Sequence, residues 1–136
     1  MPKLRALNPY EHFFKPPYGK PLSIAAQGAL IAEFARGDAG VATMVLVQYG
    51  LLGYTVETLG SEEQKAKYIP KIKSLEMIGG WGLTEDKIGS DASNLRTRAE
   101  KVNGNQYKIN GVKRWIGNGN RDLLVVWARN NENNNV

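Results

Sequence analysis

The stretch Ile78-Gly79-Gly80-Trp81-Gly82-Leu83-Thr84-Glu85-Asp86-Lys87-Ile88-Gly89-Ser90-Asp91 splits the sequence into two regimes. Before it, apolar residues recur at helical spacing; after it, the period becomes two. Upstream, Ser23 is placed to cap a helix running to about Arg36, with Ile24, Gln27, Leu30, Ile31 and Phe34 on one stripe. Gly37 ends that helix and Asp38 opens a second over about 39–59, apolar almost all round, as suits a helix central to a bundle. Gly60 then stands at the C′ position, which favours a left-handed conformation. Ser61-Glu62-Glu63-Gln64 has the pattern of a capping box and starts a third helix through about Lys73, kinked or interrupted by Pro70. Downstream, 78–83, 97–102, 106–110 and 123–128 read as strands, with turn signals at Gly104-Asn105 and Asn110-Gly111. Helices and strands in separate blocks predict an α+β chain. Its parts are two or three helices of an all-α bundle over 1–77 and an incomplete antiparallel β-domain over 78–136.

Composition narrows the function. The chain has 136 residues, 42% of them hydrophobic, enough to bury a core. With no cysteine and one histidine, His12, it excludes disulfides, thiol nucleophiles and multi-histidine metal sites. His12 itself reads as an incidental surface residue. No run reaches the roughly 18 consecutive apolar residues of a membrane span, and no secretory signal is visible. The N-terminal 21 residues are basic and hold five of the six prolines, which predicts an extended arm or an irregular stretch of a chain starting mid-domain. The net charge is +5, and six basic residues against Glu100 alone fall between Arg96 and Arg114. Such a stripe fits the phosphates of a nucleotide cofactor, a nucleic acid or a solvated strand face. No reading helix or RNA-binding aromatic motif accompanies it, so nucleic acid is not expected. Residues 130–136 are Asn-rich and read as a loop or frayed end.

The chemistry concentrates in two places. In Trp81-Gly82-Leu83-Thr84-Glu85 and the following Gly89-Ser90-Asp91, glycines let backbone amides approach a ligand, while Thr84 and Ser90 add hydroxyl donors. In Lys113-Arg114-Trp115-Ile116-Gly117-Asn118, the indole offers a flat apolar surface. Blander readings stand beside these: Trp81 and Trp127 as core aromatics, Thr84 and Ser90 as turn caps, Asp91 as a loop-ordering residue.

The first segment resembles the signature loop of the acyl-CoA dehydrogenase and acyl-CoA oxidase family. The second resembles that family's Trp-Ile-(Thr or Gly)-Asn segment. Gly60-Ser61-Glu62-Glu63-Gln64-Lys65 through Pro70, and Asp122 through Arg129, are similar to further family stretches in the same order. The resemblance covers about 18–129. It implies FAD as cofactor, an acyl-CoA thioester as substrate and α,β-desaturation as reaction. It also implies that Trp81, Gly82, Leu83, Thr84, Gly89, Ser90, Trp115, Ile116 and Gly117 hold the flavin, with Ser90 also touching substrate. Glu85 is not the base on this reading, because the family's catalytic glutamate comes from a later helical domain. That domain is expected to be missing here, which leaves no catalytic residue in this chain and predicts that it is inactive alone. The alternative is a truncated remnant or binding module without turnover. Homo-oligomers are the family's rule, and the implied location is peroxisome or mitochondrial matrix in a eukaryote, cytoplasm in a bacterium. Asp86 replaces a common proline, Ile88 a small residue and Gly117 a threonine. Gly117 with its neighbours is similar to plant-type short-chain acyl-CoA oxidases, whereas Val126-Trp127-Ala128-Arg129 is similar to glutaryl-CoA dehydrogenases.

Overall fold

A computed structural model describes residues 2–136. The chain packs as two compact units, one made of residues up to Gly80 with Gly117–Leu124, the other of Trp81–Ile116 with Val125–Val136.

In the first unit, helix α1 spans Pro2–Leu7 and a 3-10 turn spans Pro9–His12. Helix α2 covers Ile24–Gly37, its first turn capped by Ser23, whose hydroxyl accepts the Ala26 N–H. Asp38 caps the next helix by accepting the Val41 N–H at 2.9 Å. That helix runs without a break over Ala39–Leu59: α3 at Ala39–Val45, a π-helical segment at Leu46–Gly53, then α4 at Tyr54–Leu59. By length and composition it could cross a membrane. Its middle, however, carries the buried polar side chain of Gln48, which is fully hydrogen-bonded within the protein. Its amide donates to the carbonyls of Ile72 and Met77 and its oxygen accepts the Gly79 N–H. Helix α5, Glu62–Lys73, opens with a complete capping box between Ser61 and Gln64 and absorbs Pro70 in its last turns. Val45, Leu52, Ile69 and Ile72 are fully buried, and each such side chain contributes roughly 1.5–3 kcal/mol.

Three expectations for this unit are corrected. The N-terminal stretch is neither arm nor irregular start: Tyr10 and Phe14 are core residues, and Tyr10 stacks on Tyr49 at 4.0 Å. His12 is partly buried, and its Nδ1 is enclosed with no hydrogen-bond partner. Gly60 is extended (φ −69°, ψ 149°), not left-handed. A glycine is needed there for space, because a Cβ would lie 2.5 Å from the Val56 carbonyl oxygen.

In the second unit, β2 (Arg98–Asn103) and β3 (Gln106–Asn110) form an antiparallel hairpin. Its turn is at Gly104-Asn105, and Gly104 adopts φ +48°. The antiparallel expectation holds for that pair, but β5 (Arg129–Asn130) joins β2 in parallel. Strand β1 (Gly79–Gly82) and β4 (Leu123–Val126) form a separate two-stranded sheet, of which Gly79, Gly80, Leu123 and Leu124 belong to the first unit. The expected turn at Asn110-Gly111 does not form. Gly111 instead lies so near Thr97 that a Cβ would come within 2.2 Å of its Oγ1. The Asn-rich tail closes a turn, with the Asn134 N–H donating to the Asn130 carbonyl at 2.8 Å.

Candidate functional site

Strand β1 delivers Leu83 and Thr84 to its C-terminal end, and the chain then closes a tight turn in which the Glu85 N–H donates to Ile88 O at 2.9 Å. The carboxylate of Glu85 ties this turn to two distant segments. Its oxygens accept the Arg96 N–H at 2.7 Å, the Thr97 N–H at 2.8 Å, the Thr97 hydroxyl at 2.7 Å and the Lys113 ammonium at 2.9 Å. Burial alone would raise its pKa. The hydrogen bonds from Thr97, Lys113 and the two amides outweigh that and hold it at about 2. A buried carboxylate so fully satisfied is an anchor and no proton acceptor. Ile88, the branched side chain that departs from the family pattern, is buried.

The two motif segments lie side by side. The Lys113 ammonium donates to Leu83 O at 2.9 Å and the Arg114 N–H donates to Thr84 O at 2.9 Å. Gly82 fits against the same segment, where a Cβ would stand 3.4 Å from Ile116 Cδ1 and 3.6 Å from Lys113 Cγ. Among the described residues, the Leu83 and Thr84 N–H groups have no acceptor and the hydroxyls of Thr84 and Ser90 no partner. Trp115 is 79% exposed, holds φ +60° and is overlain by the Arg114 guanidinium at 4.4 Å. Trp81 is partly buried, edge-on to Trp127 at 5.7 Å, and both indole N–H groups are buried without a partner.

The structure thus gathers Trp81, Gly82, Leu83, Thr84, Trp115 and Ile116. Gly89 and Ser90 sit beyond the Glu85–Ile88 turn, exposed, with open space around Gly89. Gly117 belongs to the first unit, where a Cβ added to it would stand 3.9 Å from Val47 Cγ2. Asp91 orders its loop by accepting from Ser93 Oγ and Asn94 Nδ2. Sequence reasoning missed the roles of Thr97 and Lys113. Lys113 was legible only as one more charge in a basic stripe.

Fold and site together define an α+β protein whose candidate site is loop backbone near an exposed indole. Two family models cover nearly all of it: the acyl-CoA dehydrogenase N-terminal domain matches residues 3–76, and the middle domain of the same family matches 80–136. The chain belongs to the acyl-CoA dehydrogenase family. It is 40% identical over 111 residues to the mitochondrial short/branched chain specific acyl-CoA dehydrogenase of Rattus norvegicus, covering 81% of this chain and 25% of that protein. It is 38% identical over 97 residues to a glutaryl-CoA dehydrogenase of Desulfococcus multivorans, covering 71% of this chain and 25% of that one. Among solved structures, a glutaryl-CoA dehydrogenase of Mycobacterium smegmatis superposes with a TM-score of 0.86 at 38% identity, covering 96% of this chain and 34% of that one. A second structure from that organism, in complex with FADH2, gives 0.86 at 33% identity, covering 95% and 33%. The chain spans about a quarter of the length of these curated relatives.

Proposed function

We propose that this chain is the flavin-holding portion of an FAD-dependent enzyme that desaturates acyl-CoA thioesters between the α- and β-carbons. One observation carries the reading. The bond from the Arg114 N–H to Thr84 O joins the two motif segments, leaving the Leu83 and Thr84 amides free near an exposed indole. The similar Mycobacterium smegmatis enzyme solved with FADH2 supports FAD as the occupant.

The residues present fit that group. Unpaired amides at Leu83 and Thr84 are donors for ring carbonyl oxygens, and the Trp115 and Ile116 side chains supply apolar cover. Thr84 and Ser90 bring hydroxyls for pyrophosphate or thioester oxygens, and Gly117 brings none. When bound, FAD supplies the acceptor for the hydride leaving the β-carbon. The chain's own task is to orient and to exclude water. Donors aimed at the thioester carbonyl stabilise the charge that develops as the α-proton departs. Glu85 does not take that proton: it is buried, and its oxygens already accept from the Arg96 and Thr97 amides, the Thr97 hydroxyl and the Lys113 ammonium, all of which favour the charged form. This favours a second reading, in which the chain alone binds flavin without turnover.

Gel filtration of the chain with FAD, followed by the flavin absorbance of the protein peak, tests binding. Co-elution is expected, and a flavin-free peak contradicts the assignment. A butyryl-CoA assay with an artificial electron acceptor then separates an active enzyme from a binding portion.

A further inference from the structure

A second concavity in the same unit lies apart from the motif residues. It is lined by Ser93, Asn94, Leu95, Arg96, Arg98, Arg129 and Asn134, with about 580 Å³ of space. Three arginines line it and no carboxylate does. None of the three arginines forms an ion pair among the described residues. Of the carboxylates near in sequence, Asp91 already accepts from Ser93 and Asn94, and Glu100 and Glu132 do not line the cavity.

The arginines differ in what they can offer. Arg129 is half-buried and committed: its three nitrogens donate to the backbone carbonyls of Leu95, Asn134 and Ser93. Neutral acceptors satisfy those N–H groups and leave the charge uncompensated, so Arg129 fixes a positive potential in the wall. Arg96 and Arg98 are exposed. Arg98 spends one donor on the Asn131 side chain at 3.1 Å, and the Arg96 side chain spends none. Their backbones are not free to drift, because the Glu85 carboxylate holds the Arg96 amide and β2 holds Arg98. Two planar forks on an anchored segment, before a wall of fixed positive charge, suit phosphoryl oxygens, which guanidinium binds in pairs. A cavity of this volume takes a small molecule.

We propose that the concavity formed by Arg96, Arg98 and Arg129 is a binding site for a diphosphate group. The site is separate from the Leu83–Trp115 segments and does not depend on their ligand. The diphosphate could be free or carried by a nucleoside, and the two are told apart by the probe.

Calorimetric titration of the whole chain with inorganic pyrophosphate and, separately, with ADP tests the site at fixed ionic strength. Both probes are expected to bind. Tighter binding of ADP identifies a nucleoside diphosphate, and equal binding identifies the diphosphate alone. Arg96→Gln and Arg98→Gln should each weaken binding about tenfold, as loss of a charge-assisted hydrogen bond does. Arg98→Lys, which keeps the charge but removes the fork, should recover only part of it. Lys101→Gln and Lys108→Gln, on the hairpin outside the cavity, should change nothing. Heat released by neither probe, equal losses in the hairpin lysine variants, or equal displacement by sulfate would each overturn the proposal.

Discussion

Trp115 combines two features that rarely coincide: a left-handed backbone, at φ +60°, and an indole left 79% exposed. A non-glycine residue in that region costs roughly 1–2 kcal/mol. The Arg114 stack at 4.4 Å returns about 0.5–1 kcal/mol at an exposed site. The conformation is therefore not explained by the chain's own stability. Trp115→Gly should leave stability in urea unchanged or raised by up to about 1 kcal/mol. The same variant should weaken FAD about tenfold, read by flavin fluorescence. A substitution harmless to the fold and harmful to the ligand separates a binding role from a packing one.

Glu85 is the opposite case. Its folded pKa, about 2, lies below the unfolded carboxyl value. In that window the unfolded chain binds more protons, so acid favours unfolding. The stabilisation is complete above about pH 4.5 and drains away as the pH falls towards 2, a trend that thermal melts across that range should show. Glu85→Gln should flatten the dependence. It should also destabilise by about 3–5 kcal/mol, because Lys113 would be left buried and unpaired. Of the arrangement the structure brings together, Trp115 and the Leu83–Thr84 loop were singled out from residue type. The Glu85–Lys113 clamp was not, since its members are 28 residues apart and only the folded chain joins them.

At the scale of the elements, local chemistry was read well and close approach poorly. The capping box at Ser61 and Gln64 forms as its spacing requires, because both bonds lie within one turn. Ser61→Ala should cost about 1 kcal/mol in chemical denaturation. Gly60 and Gly111 look like turn glycines in a sequence, yet each is small because another chain atom occupies the Cβ position. Gly111→Ala should destabilise by about 1–3 kcal/mol through the clash with Thr97, and trimming that side chain in Thr97→Ser should not restore it, since a hydroxyl oxygen remains. The π-helical stretch Leu46–Gly53, which contains the buried polar hub Gln48, has no sequence signal that we can name.

For the whole chain, the division into helical and strand-forming halves followed from periodicity alone. The N-terminal stretch did not, because proline-rich sequence looks irregular even when Tyr10 and Phe14 are core residues. The hairpin also leaves Val102, Tyr107 and Ile109 half-exposed. The proposed flavin binding rests on something narrower than either unit: two backbone N–H groups, at Leu83 and Thr84, without an acceptor among the described residues. Amide NMR of the chain titrated with FAD addresses them directly. The Leu83 and Thr84 resonances should shift and become protected from exchange, together with the Trp115 indole N–H. If FAD binds while those three signals stay unmoved, the flavin lies elsewhere and the assignment of this loop is wrong.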